Sequence, residues 1–297
     1  MTAFTLAHLS DPHLAPLPQP KPSELFGKRV LGYLNWHRNR KHRQSRAFAD
    51  ALVTDIKTQH PDHIAVTGDL VNIGLDTEFA AARDWLRSLG QPHDVSLVPG
   101  NHDAYVRETY PRCAAQWLDY MRGDGADTQT QLAFPYLRKR GPLVLIGAST
   151  AVPTPPFMAT GTLGQPQLAV LERVLSQTAN NSFRVLLIHH PLRAKHWHKR
   201  LTDAAALLDI LRRYGAELIL HGHDHKHSLM WLDGPARQIP AVGVPSTSAA
   251  IGGKHDAAAY NLFRVAHESD AWRCDWSVRG YSEARDGITE LRTQRLI

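Results

Sequence analysis

Cysteine is nearly absent from this chain of 297 residues: only Cys113 and Cys274 occur, far apart. That excludes a disulfide framework and a thiolate-built zinc site, and it makes a reducing cytoplasm the expected compartment. Long apolar runs are absent too. No stretch approaches the roughly 18 residues a membrane-spanning helix needs, and Met1 leads straight into the strand-like Ala3 to Leu9 without a basic leader and apolar core. There is no internal repeat, low-complexity tract or linker. With 43% hydrophobic residues the chain can bury a large core, and one domain over 1–297 is expected.

Histidine, by contrast, is plentiful at 18 residues, and much of it falls in short motifs. These are Asp11-Pro12-His13, Gly68-Asp69, Gly100-Asn101-His102-Asp103, His189-His190-Pro191 and His221-Gly222-His223-Asp224-His225. Each follows an apolar run that reads as a buried strand: Phe4 to Leu9, His63 to Val66, Val95 to Val98, Val185 to Ile188 and Glu217 to Leu220. Carboxyl ends of neighbouring strands converge on one edge of an α/β sheet, so five motifs describe one site. Any one alone is no more than a polar strand-ending turn. Five of them, in order and each at a strand end, are not.

Asp11, His13, Asp69, Asn101, His189, His223 and His225 offer carboxylate, carboxamide and imidazole. Such donors suit Mn, Fe, Zn or Co. Seven are too many for one catalytic ion. They fit two ions sharing Asp69, at the separation of about 3.5–4 Å that turns a bridging water into a nucleophile.

Helical periodicity falls between the strands. Ala47 to Gln59, Thr77 to Leu89 after an N-cap at Asp76, Gln167 to Leu175 and Thr202 to Tyr214 each carry an apolar stripe suited to core packing. From about residue 226 the pattern becomes strands without helices: Leu229 to Leu232, Ile239 to Val244, Tyr260 to Val265 and Trp272 to Val278. That tail is expected to form an antiparallel second sheet. The fold class is therefore α/β, a two-sheet sandwich flanked by helices.

The motif order resembles the calcineurin-like metallophosphoesterase superfamily from residue 4 to about 225. Within it, the chain is most similar to bacterial cyclic nucleotide and glycerophosphodiester phosphodiesterases. It lacks the G-D-x-x-D-R-G and G-N-H-E patterns of protein Ser/Thr phosphatases. The resemblance implies one ion on Asp11, His13, Asp69 and His225, and a second on Asp69, Asn101, His189 and His223. The choice of His189 over His190 follows the family pattern. It further implies that His102 faces the phosphoryl group, stabilising charge or protonating the leaving oxygen, with Asp103 behind it as the orienting carboxylate. The implied activity is phosphodiester hydrolysis through a hydroxide bridging two Mn, Fe or Zn ions. A lipid-linked phosphoester or pyrophosphate is the alternative substrate, and a non-catalytic scaffold on the same fold is the remote one.

One segment exceeds a minimal scaffold. Residues 14–46 form a proline-rich lead followed by a basic amphipathic stretch. Within 21–46 eight Lys and Arg face the single acid Glu24, a local net of +7 where the whole chain carries +6. Leu25, Phe26, Leu31, Tyr33, Leu34 and Trp36 are interleaved with that charge. Three readings stand: a packed helix with a solvated basic face, a cap over the metals, or a peripheral contact with an anionic membrane at the inner surface. Nucleic acid ranks below these, because no nucleic-acid module accompanies the charge. A second basic cluster follows His189, and two readings of it stand: Arg193, His196 and Trp197 touch the anionic phosphoester substrate, or they form a solvated loop.

Overall fold

The computed structural model describes residues 3–108, 110–111, 115–126, 130–178, 182–253, 255–282 and 285–297, so Cys113 lies outside the described residues. The first six strands are β1 (Phe4–Leu9), β2 (His63–Val66), β3 (Val95–Leu97), β4 (Tyr136–Arg140), β5 (Leu143–Gly147) and β6 (Phe183–Leu187). The others are β7 (Leu218–His221), β8 (Ser228–Leu232), β9 (Ile239–Gly243), β10 (Ala259–Glu268), β11 (Ala271–Ser282) and β12 (Arg285–Arg295). The longer helices are α1 (Lys28–Asn35), α2 (Arg46–Thr58), α3 (Asp76–Leu89), α4 (Gly164–Gln177) and α5 (Ala204–Tyr214).

Two six-stranded sheets result, ordered β12-β11-β10-β1-β2-β3 and β4-β5-β6-β7-β9-β8. Strands β1, β2 and β3 run parallel, as do β5, β6, β7 and β9. Residue alternation decides how the second sheet is covered. Leu143, Leu145, Val185, Leu187, Leu218 and Leu220 share one core with β1, β2 and β10, whereas Val144, Ile146, Leu186, Ile188 and Ile219 face α4 and α5. Both faces are apolar, as parallel strands buried on two sides require.

The expected sandwich with outer helices is therefore present, but the tail is placed differently. It does not make a sheet of its own: β10 pairs antiparallel with the free edge of β1, while β8 and β9 join the second sheet. The unforeseen β4 and β5 supply that sheet's other edge. Strand β4, Tyr-Leu-Arg-Lys-Arg, carries too much charge to read as a strand. Its Arg138 is nonetheless buried, because the guanidinium donates to the carbonyls of Pro92, Val95, Asp119 and Arg122. Asp76 is likewise not the N-cap of α3 but its first residue; Leu75 is the cap. The loop leading into α3 is held by the buried Glu78, whose carboxylate accepts from the N–H groups of Asn72, Ile73 and Leu75.

Segment 14–46 is tied down along its length. Leu17 and Trp36 pack with Ile73, Leu75 and Tyr105 in a small separate core. Arg29 donates to the carbonyls of Ile73 and Gly74, and Lys28 Nζ to Thr154 Oγ1 and the Met158 carbonyl. Its far end pairs with the loop after β9, where the Ser45 and Ala250 amides reach the carbonyls of Ser248 and Arg43. Among the described residues no helix is long and apolar enough to cross a membrane.

Candidate metal centre

All five motifs lie where parallel strands end. The loops after β1, β2 and β3 bring Asp11, His13, Asp69, Asn101 and His102, and those after β6 and β7 bring His189, His223 and His225. The strand ends are stitched together past the sheets: the amides of Asp11, His13 and Gly222 donate to the carbonyls of Gly68, Asp69 and His189. Aiming these side chains inward needs unusual backbone. Asp11, His13, Asp69, His223 and His225 all have φ between +36° and +71°. Non-glycine residues rarely adopt that region, so five together mark a site where the surrounding structure over-determines strained backbone. Gly100 and Gly222 allow the close approach, since a Cβ on them would meet the carboxylates of Asp69 and Asp11.

Distances group the donors as two ions would. His13 Nε2 is 3.3 Å from His225 Nε2, and His225 Nε2 is 3.1 Å from Asp11 Oδ1. His189 Nε2 is 3.2 Å from Asn101 Oδ1 and 3.3 Å from His223 Nδ1. Asp69 Oδ2 stands between the groups, 3.7 Å from His13 Nε2 and 3.4 Å from His189 Nε2. Two donors each about 2.0–2.1 Å from one ion at tetrahedral to octahedral angles stand about 3.0–3.4 Å apart, so the spacing within each group fits shared coordination. Acceptors fix the ring orientations: Val71 O takes His13 Nδ1, and Thr67 O takes His189 Nδ1 at 2.6 Å. Such outer partners leave Nε2 free to face an ion. Burial opposes charging His189, yet Asp69 and Asp11 still raise its pKa to about 10. The two buried carboxylates call for compensating cations.

Two neighbouring histidines are spoken for. His190 has Thr150 Oγ1 at Nδ1 (2.7 Å) and the Ala159 carbonyl at Nε2, which supports His189 as the ligand of the pair. His102 gives Nδ1–H to the Asn72 carbonyl, and its Nε2 accepts from the Arg40 guanidinium at 2.9 Å. Burial, then the Arg40 charge, hold its pKa down to about 3. The expectation that Asp103 orients His102 is corrected here. The Asp103 carboxylate accepts from the amides of Asp69, Leu70, Val71 and Gly100, knitting two ligand loops together, and the orienting acceptor of His102 is Asn72 O.

Over the donors lies a cavity of about 500 Å³, lined by Asp69, Asn101, His102, His223 and His225 on one side and by Asn35, Asn39, Arg40, Arg43 and Lys199 on the other. The insert thus closes over the centre. Arg193, His196 and Trp197, expected at the substrate, are exposed and outside this lining; from their cluster Lys199 takes that place. Arg40 was visible in the sequence only as one charge among eight. No local signal marks it, because its approach to His102 spans 62 positions.

A profile described as calcineurin-like phosphoesterase matches residues 4–227. A glycerophosphodiester phosphodiesterase, GpdQ, of Enterobacter lignolyticus is 30% identical over 199 residues, which cover 64% of this chain and 63% of the relative. Among solved structures, the yellow lupin purple acid phosphatase PPD1 superposes with a TM-score of 0.59 at 13% identity, over 97% of this chain and 53% of its own. A 5'-nucleotidase precursor from Thermus thermophilus does so with 0.53 at 15% identity, over 92% and 54%. The chain spans about half to two thirds of the length of these relatives.

Proposed function

Since the chain belongs to the calcineurin-like phosphoesterase family, we propose that it hydrolyses phosphodiesters with two metal ions, Mn, Fe or Zn, held by Asp11, His13, Asp69, Asn101, His189, His223 and His225. The observation that carries this reading is Asp69 Oδ2 placed between the imidazoles of His13 and His189, the position a bridging carboxylate occupies. When bound, such ions polarise phosphoryl oxygens and bring the pKa of coordinated water toward about 7.

This chain's own residues do the remaining work. Arg40 supplies a fixed positive charge on the open side of the cavity, where a phosphoryl oxygen takes up the hydrogen bond now made to His102. Freed from Arg40, His102 Nε2 can take a proton from water and donate it to the departing oxygen, with Asn72 O holding the ring. Asn35, Asn39 and Lys199 offer neutral and cationic donors to the ester's organic arms. Diesters are favoured over monoesters by the likeness to a glycerophosphodiester phosphodiesterase.

The test is a panel of cyclic nucleotides, glycerophosphodiesters and monoesters with Mn-reconstituted protein, read as kcat/KM, beside metal analysis of the wild type and Asp69→Asn. We expect about two ions per chain, diesters ahead of monoesters, and loss of both metal and turnover in the variant. A stoichiometry that stays at one overturns the dinuclear reading.

A further inference from the structure

We propose that the rim of the metal cavity is a docking face for an anionic lipid bilayer, and that the phosphoester reaching the metals is carried on a lipid. The proposal rests on the phosphoesterase reading for its substrate but not for its surface.

Nine large apolar side chains are exposed among the described residues, and four of them lie within two positions of a residue that lines the cavity. Phe26 (75% exposed) and Leu34 (43%) come from segment 14–46, Phe157 (83%) from the loop after β5, Trp197 (68%) from the loop after β6, and Ile251 (39%) from the loop after β9. Scattered single apolar residues would need no explanation, but clustering at one opening does. The segments are physically joined. Lys28 Nζ binds Thr154 Oγ1 and the Met158 carbonyl, and the Ala159 amide binds the His198 carbonyl, so the segments that carry Phe26, Phe157 and Trp197 are joined one to the next. Leu34, Phe157, Trp197 and Ile251 lie within two residues of a group that lines the cavity, namely Asn35, Ala159, Lys199 and Ala250, while Phe26 lines a neighbouring depression with Pro153 and Thr154 of the Phe157 loop.

Charge chooses the occupant. Arg38, Lys41, Arg43, Lys195 and Arg200 are exposed on the segments that carry Leu34 and Trp197. A second copy would bring two strongly positive rims together and be repelled. A nucleic acid would use the charge and stack on Trp197, but it has no use for the aliphatic Leu34 and Ile251. An anionic bilayer uses both kinds, attracting the cations at the headgroups while apolar side chains enter the acyl boundary. Part of the charge foreseen for a membrane is excluded by this geometry, since Lys28, Arg29 and Arg40 are engaged within the protein.

The experiment sediments the full chain with phosphatidylglycerol/phosphatidylethanolamine vesicles and with phosphatidylcholine vesicles, in about 0.15 M salt. The wild type is expected to pellet with the anionic vesicles. Phe26→Ser combined with Phe157→Ser should lower the partition coefficient about 10-fold or more, as should Arg38→Glu with Lys41→Glu. Both variants should turn over a soluble nitrophenyl diester at the wild-type rate. A wild type that stays in the supernatant, a serine variant that pellets unchanged, or retention only on single-stranded oligonucleotide would overturn the docking face. Pelleting of a protein that hydrolyses no ester with Mn would uphold the face while removing the phosphoesterase reading.

Discussion

The ring of His102 has both nitrogens engaged, one by Asn72 O and the other by Arg40, so the positive charge facing the cavity belongs to the arginine. His102→Ala is expected to keep the metal content and lower kcat by roughly 10²–10⁴. Arg40→Ala should lower kcat/KM as well. Because the two side chains touch, the double variant should lose less than the product of the single losses, and strictly multiplicative losses in a kinetic cycle would show that the contact has no part in turnover. Asp103 behaves differently. Its carboxylate is the acceptor for four buried amides, so Asp103→Ala leaves those amides unpaired and should cost about 3–5 kcal/mol in urea unfolding. A variant of unchanged stability but slow turnover would restore Asp103 to a role behind His102.

At the scale of elements, the apolar packing of helix on sheet is reinforced at α2 by a polar clamp. Asp55 of α2 accepts from Arg279 Nε at 2.8 Å and from the hydroxyl of Tyr260, clamping the helix to β10 and β11. Burial pushes the Asp55 carboxyl up, but the hydrogen bonds from Arg279 and Tyr260 and the guanidinium charge outweigh it and hold the pKa below the ordinary value. A depressed carboxyl contributes stability above its unfolded pKa of about 4 and loses it as pH falls through the folded value. Asp55→Asn should therefore destabilise the protein by about 1–3 kcal/mol at pH 7 and progressively less below pH 4. The check is a urea midpoint series across pH 2–7, in which a constant difference would exclude the ion pair as the cause.

The whole molecule places four imidazoles and a carboxamide around two buried carboxylates at a junction of two sheets, so metal binding is coupled to folding. An ion that binds only the native state stabilises it by about 2.7 kcal/mol at 100 times its Kd. We expect Mn to raise Tm in a concentration-dependent way, a chelator to reverse the gain, and Asp69→Asn to be insensitive to both. Differential scanning calorimetry reads this without substrate, and an Asp69→Asn protein that responds as the wild type does would move the ions elsewhere.

Strand runs, helix stripes and the five polar motifs were legible in the sequence because alternation, periodicity and strand-end chemistry are local, and they sufficed for the sandwich, the family resemblance and a set of candidate donors that the structure brings together. Burial of β4 was not legible, since the partners that satisfy Arg138 are carbonyls 16 to 46 positions away. Nor was the split of the tail between two sheets, which depends on which edges remain open. Sequence adjacency placed Asp103 behind His102, whereas the backbone turn points it at the amides of a neighbouring loop. The basic insert shows the division most plainly. Its composition allowed packing, capping and membrane contact alike, and only the tertiary structure could divide its residues, burying Trp36, sending Arg40 to His102 and leaving Phe26 and Leu34 exposed at the rim. Such a partition is made by contacts between distant segments, which no local pattern encodes.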